Sequence, residues 1–406
     1  MSEDRAGGVT TLYDTEFHRL DLRYDRKLGS GSKLRVATTL GTDHSKLEQG
    51  RVTLGSRTAA VRVELTAPLH RAVLMHTGAD ALLGRYSFAV DASLDSNLSP
   101  GAAEFYRRSL GARDDVTSGA WLDMELLVSP GIRLEPGVRV DLWNSGDTTL
   151  VSADPRVLAE IDATKSLTFT QGVGIAHQRP SYTIPLAGVQ PVLGDELQTS
   201  LQASSGVRLR LPEDVTASMT VYGAIQLHLT DAFASSRIFN TDPLSTFLSP
   251  SNGRSFGLEL MLSRSLARKL GGHLSYTLSR SERTFGPIST PGPFDRTHVL
   301  SGALGYELGR RWRAGARGTF YTGFPMDVAY PEAAAAPPRT APFWRLDWRV
   351  EKSWPLGANG SWSVVLEVLN TTFNRETVRG SCSAYVCKSE IIGPVTVPSL
   401  GVEAVF

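Results

Sequence analysis

Apolar and polar residues alternate one for one along most of this 406-residue chain, in stretches that often run past ten residues. In residues 343–351, Trp344, Leu346, Trp348 and Val350 share one face, while Arg345, Asp347, Arg349 and Glu351 share the other. The same pattern sets Leu20, Leu22 and Tyr24 against Arg19, Asp21, Arg23 and Asp25. It also sets Met219, Val221, Ile225 and Leu227 against Ser218, Thr220, Tyr222 and Gln226, and Phe256, Leu258, Leu260 and Leu262 against Gly257, Glu259 and Ser263. A period of two is the signature of a strand with two unlike faces, and about seventeen such strands are predicted. Globular strands typically have about five or six residues, whereas a tilted strand needs about ten to cross a bilayer.

The connections sharpen this reading. Short turns are expected near residues 28–32, 68–71, 129–137, 163–166, 211–214, 265–269, 309–310 and 355–360. Longer polar segments are expected between them, near residues 45–56, 85–116, 144–154, 179–196, 231–252, 282–294, 323–341 and 371–394. Short connections at one end and long ones at the other describe an antiparallel transmembrane β-barrel, with tight turns on the periplasmic side and loops outside. A soluble sandwich or propeller would change direction without this regularity, or would repeat in blades.

Composition agrees by exclusion. No stretch approaches the ~18 consecutive apolar residues of a spanning helix. A mean hydropathy of -0.12 is compatible with a barrel, because lumen-facing polar residues offset the lipid-facing ones. With 42 basic and 41 acidic residues there is no case for nucleic acid. The eight histidines are scattered, and H-E-x-x-H, G-x-S-x-G and a phosphate loop are all absent, so no catalytic residue, metal site or cofactor is expected. Gly29-Ser30-Gly31-Ser32-Lys33 reads as a hairpin between two strands. Cys382 and Cys387 are the only cysteines, without nearby histidine, and read as a small disulfide loop rather than a metal site.

The last eight residues alternate as well, with Leu400, Val402, Ala404 and Phe406 on one face. A chain end is normally polar and frayed. A terminal aromatic is instead expected where a strand ends at a membrane interface. Ser399, Gly401, Ala404 and Phe406 resemble the signal that outer-membrane proteins present to the barrel-assembly machinery.

Several stretches resemble the barrel of TonB-dependent outer-membrane receptors. They are Gly253-Arg254-Ser255-Phe256-Gly257-Leu258-Glu259-Leu260, Leu274-Ser275-Tyr276-Thr277-Leu278-Ser279-Arg280-Ser281, Phe294-Asp295-Arg296-Thr297-His298, Tyr321-Thr322-Gly323-Phe324-Pro325, and the strands through Arg345–Lys352 and Val368–Asn370. No single motif is specific, but their order and spacing are, from about residue 155 onward. The resemblance implies uptake of a scarce solute such as a siderophore, corrinoid or carbohydrate. It implies outer-membrane lipid as surroundings and TonB as a partner, reached through a plug domain. The alternative is a plugless barrel acting as a passive pore, adhesin or structural protein.

Family barrels have about twenty-two strands, of which about seventeen are visible, and no plug is visible either. Residues after Met1 also lack the basic start and apolar run of a signal peptide. The expectation is therefore the C-terminal part of a longer barrel, with residues 1–14 the remnant of an extracellular loop and residues 15–406 the barrel. Ligand contacts are expected near the strand tops, at His177, Arg179, Arg254, Arg296 and His298. The charged faces of Arg313, Arg317, Arg345, Asp347, Arg349 and Glu351 are expected to form a cross-strand ladder lining the lumen.

The assembly reading is testable in the outer membrane. Phe406→Ala, or a polar tag after Phe406, is expected to lower the yield of heat-modifiable barrel; unchanged yield and gel behaviour would remove the signal.

Overall fold

The structure is a computed structural model, and it describes residues 2–3, 9–10, 13–47, 52–90, 111–179, 193–229, 251–266, 269–328, 336–357, 360–383 and 386–405. Seventeen long strands form one antiparallel sheet: β1 Tyr13–Lys27, β2 Lys33–Leu47, β3 Val52–His70, β4 Val73–Val90, β5 Arg113–Ser129 and β6 Ile132–Ser145. There follow β7 Thr148–Asp162, β8 Leu167–Gln178, β9 Gln198–Leu211, β10 Val215–Leu229, β11 Ser251–Arg264 and β12 Leu270–Phe285. The last are β13 His298–Gly309, β14 Trp312–Tyr321, β15 Phe343–Leu356, β16 Gly360–Leu369 and β17 Val397–Val405. Each strand pairs with its sequence neighbours, as an up-and-down barrel requires. No helix of the described residues is long and apolar enough to cross a membrane.

The register shows what each face does. Val207, Met219, Leu260, Tyr276, Leu300, Phe320 and Trp344 are successive cross-strand partners, so one apolar row crosses seven strands. These side chains point outward, where Met219, Phe256 and Trp344 are exposed. Charged residues occupy the alternate positions and point inward, several of them buried, including Asp43, Asp141 and Asp347. An apolar belt around a polar interior inverts the usual soluble arrangement and fits a hydrocarbon surround.

The strand order returns on itself and places β17 beside β1. Paired residues join every other pair of neighbours, but none joins these two among the described residues. With an odd number of antiparallel strands, β1 and β17 run the same way, so the antiparallel ladder cannot continue across that seam. From residue 14 on, both strands are exposed on both faces.

Two expected loops are corrected. The described residues within 45–56 and 144–154 are mostly strand, so six of the eight connections at the loop end are long. Val52 and Leu54 are buried on the inward face, and their packing extends the ladder upward. At the second site Gly146 has φ +58°, a conformation that closes a two-residue hairpin between Ser145 and Thr148.

The inward face is laced by ion pairs that step from strand to strand. Asp25 accepts from Arg35 at 2.7 Å, Arg35 reaches Glu64 at 3.5 Å, Arg62 lies 3.7 Å from Asp80, and Arg139 reaches Asp80 at 2.8 Å and its strand neighbour Asp141 at 2.6 Å. The Arg139 side chain crosses β5 to reach Asp80, and it crosses at Gly119. A Cβ there would lie 2.1 Å from Asp141 Oδ1 and 2.3 Å from Arg139 Nη2. The missing side chain is what permits the bridge. Gly119→Ala is expected to cost about 1–3 kcal/mol and lower the thermal midpoint of heat modifiability. Gly318→Ala, whose Cβ would meet nothing within 4 Å, is the control and should leave it unchanged.

Candidate functional site

The long-loop end gathers two clusters, each built on a buried carboxylate. The first joins the tops of β4, β5 and β6 to the residue after β8. Asp115 is an inward position of β5 and is almost fully buried. Arg113, two residues earlier on the same face, donates to it at 3.0 Å, and Arg179 donates at 2.9 Å. The Arg113 guanidinium also lies 4.8 Å from the Tyr86 ring centroid and donates to Ser145 at 3.2 Å. Two guanidiniums share one carboxylate here, in a setting where burial strengthens electrostatics.

The second cluster joins three loops. Asp295 accepts from Arg339 and from the Ser281 amide at 2.6 Å, with Arg280 at 3.6 Å. Arg339 also donates to the Asp295 and Gly323 carbonyls, so one side chain ties the loop after β14 to the loop after β12. Next to it, the Arg296 guanidinium lies 3.7 Å from the Tyr321 ring centroid, and Tyr321 donates to Glu376 in the last loop. Under these polar contacts Phe285, Met326, Val328 and Cys382 form a small apolar core, with Ile288 packed against it. In the last loop, strands Glu376–Cys382 and Cys387–Ile392 form a hairpin closed by the Cys382–Cys387 disulfide. Asp327–Val328 pairs alongside it.

The residues expected to touch ligand are thereby divided. Arg179 belongs to the first cluster and Arg296 to the second. His177 bonds Asp154 at the top of β8, apart from both clusters' carboxylates. Arg254 and His298 occupy outward positions: Arg254 is the register partner of Ile225 and Glu282, and His298 is the partner of Leu278. Arg254 is paired with Glu282 at 2.6 Å, and the His298 ring lies 2.8 Å from the Tyr276 hydroxyl. Neither faces the lumen, because strand alternation fixes the side on which each side chain emerges. Asp115, Arg339 and Glu376 were not singled out from sequence, and Asp295 entered only as part of a family-like stretch; a carboxylate in a polar segment gives no signal of what will bury it.

Of the expected charge ladder on β14 and β15, one ion pair, Arg317 with Asp347, crosses between strands; the other pairs run along β15, and Arg313 donates to the Leu266 carbonyl. Arg317 donates to Asp347 through Nε at 2.9 Å and Nη2 at 2.8 Å, Arg345 lies 3.1 Å from the same carboxylate, and Arg349 pairs with Glu351 at 3.3 Å. On β17, Ser399 and Gly401 share the inward face with their partners Glu367 and Val365, while Ala404 faces outward with Trp362. Phe406 lies outside the described residues. Among the described residues, no group of three His, Cys, Asp or Glu is close enough to hold a metal.

Residues 2–370 match the family described as TonB dependent receptor-like, beta-barrel. Among solved structures, the chain is similar to one in the FpvAI–pyocin S2 complex, with a TM-score of 0.67 and 14% identity, covering 96% of this chain and 57% of that one. The ferric-catecholate import receptor Fiu from E. coli gives a TM-score of 0.68 at 11% identity, over 97% and 64%. The unliganded ferric citrate transporter FecA gives 0.65 at 14% identity, over 97% and 62%. The chain therefore spans 57–64% of the length of these three structures. No curated protein matches the sequence.

Asp295 gives the clearest test of the second cluster. Asp295→Asn is expected to weaken its hold on Arg339 and the Ser281 amide by about 2 kcal/mol. Limited proteolysis should then cut the loops after β12 and β14 faster while the barrel keeps its heat modifiability. Unchanged loop cleavage would show that the carboxylate does not organise them.

Proposed function

The chain belongs to the TonB-dependent receptor β-barrel family, and on that premise we propose that it forms the barrel wall of an outer-membrane receptor for energised uptake of a scarce solute. Members of this family are outer-membrane receptors and transporters, not enzymes. The observation that carries the proposal is the division of faces through the middle of the strands, with outward charges confined to the strand ends. An apolar belt faces lipid on strand after strand, and an ion-paired wall lines the interior.

On this reading the tight turns lie in the periplasm and the two clusters face outside. Coupling to TonB runs through a plug domain. Insertion depends on the barrel-assembly machinery acting on the Ser399, Gly401, Ala404 and Phe406 pattern. The charged wall is the surface against which a plug rests, since its paired groups offer hydrogen bonds without carrying unpaired charge.

The solute class is an anion. Two guanidiniums converge on Asp115, and two on Asp295, so both clusters are rich in donors suited to carboxylates, although Arg280 also pairs with Glu282 at 3.2 Å and Arg296 lies 3.9 Å from Glu376. A ferric chelate bearing carboxylates fits those donors. Similar structures include proteins named for ferric citrate and ferric catecholate.

Ferric citrate serves as the probe for titration of the purified chain. Arg179→Gln and Arg296→Gln are each expected to weaken its binding about tenfold, the loss of one charge-assisted contact. A neutral sugar should not compete. Equal affinity in both variants, or displacement by the neutral sugar, would overturn the anion reading.

A further inference from the structure

The outward face is not evenly filled. Between β12 and β15 a groove of about 750 Å³ opens toward the hydrocarbon, near the turn end of the strands. Gly302 and Gly318 are cross-strand partners and form its floor. Leu274, Leu304, Phe320 and Trp344 rise on either side. A side chain at Gly318 would meet nothing within 4 Å, whereas one at Gly302 would meet Leu274 Cδ1 at 3.1 Å, so the floor is open at Gly318 and walled by Leu274 beside it.

Below the groove, toward the turns, the outward face changes character. Leu270 lines the groove, and its register partner is Tyr306. Over the Tyr306 ring sits the Lys269 ammonium, 5.7 Å from the centroid. Further along, the Lys352 ammonium lies 5.3 Å from Trp312 and 5.7 Å from Trp354, which stacks on Trp362 at 4.4 Å. Arg264 lines the groove itself and pairs with Glu213 at 2.7 Å. Around this end the described residues carry Arg264, Lys269, Arg310, Arg311 and Lys352 against Glu213 and Asp214.

We propose that this groove and its cationic, aromatic rim bind one anionic phospholipid of the periplasmic leaflet, an acyl chain over Gly302 and Gly318 and the phosphate at Lys269 and Lys352. The proposal rests on the outer-membrane reading above, which sets the turn end in the leaflet of phospholipid. Two independent features meet here: an apolar volume within the range of small-ligand sites, and an excess of cations at headgroup depth. Aromatic rings beside each ammonium hold it at the interface, where an amphipathic ring is stable.

The test uses the whole chain in detergent micelles and reads quenching of its tryptophans by brominated phosphatidylglycerol or brominated phosphatidylcholine. Phosphatidylglycerol is expected to reach half-quenching at about thirtyfold lower concentration, given ~1 kcal/mol for each of the two lysines. Lys269→Gln with Lys352→Gln should erase that preference, and Gly318→Leu should weaken quenching by both lipids. Equal curves for the two lipids, a preference indifferent to the lysine variants, or stronger retention of lipopolysaccharide than of either would overturn the proposal. Orientation is read separately, by thiol labelling of Cys382 and Cys387 on reduced intact cells. Labelling only after permeabilisation would overturn the orientation and, with it, the assignment to the periplasmic leaflet.

Discussion

A backbone amide in hydrocarbon has no water to bond, and every unpaired group there costs several kcal/mol. That constraint organises this molecule. Strands of up to nineteen residues exist because each must carry its hydrogen bonds to a neighbour across the full thickness of the membrane and beyond it. At ~3.4 Å per residue, a fifteen-residue strand spans ~50 Å, so even a tilted strand projects past the ~30 Å apolar layer. The projecting ends support the hairpin tops and loops where the two clusters form.

Once the backbone is satisfied within the sheet, side chains are free to divide by environment. Apolar residues face outward, and charges face inward, where they pair across strands. Close pairing needs room, and glycine supplies it. Gly119 lets Arg139 cross a strand to Asp80, a reach that any Cβ at that position would block. The wall is consequently charged yet largely neutralised. At the loop end, Asp115 and Asp295 each collect two arginines.

The last three loops act together because their contacts are mutual. Arg339 fixes the loop after β14 to Asp295, Tyr321 reaches Glu376 in the loop after β16, and Met326 packs 3.6 Å from the Cys382 sulfur. Together they bury Val328 and Cys382 against Phe285 at the end of β12. Loop ordering on a rigid scaffold is a common route to a binding surface.

The sequence by itself determined the strand count, the two faces and the family. A period of two is a local property that survives whatever surrounds the strand, and Trp344, Leu346 and Trp348 against Arg345 and Asp347 announce it without any tertiary information. The charged face of Arg317, Asp347 and Arg349 was legible for the same reason. Only the tertiary structure decided which side of the wall each strand-top residue takes. Arg254 and His298 have polar neighbours in sequence and resemble ligand contacts, yet register places both outward. It also turned most of the described residues within 45–56 and 144–154 from loops into strand, through burial of Val52 and Leu54 and the left-handed backbone at Gly146. The burial of Asp115 and Asp295 was hidden most completely. Their partners lie as many as 64 and 44 residues away, and a pairing over that distance is set by the assembly of neighbouring strands and the meeting of loops, which no local pattern records.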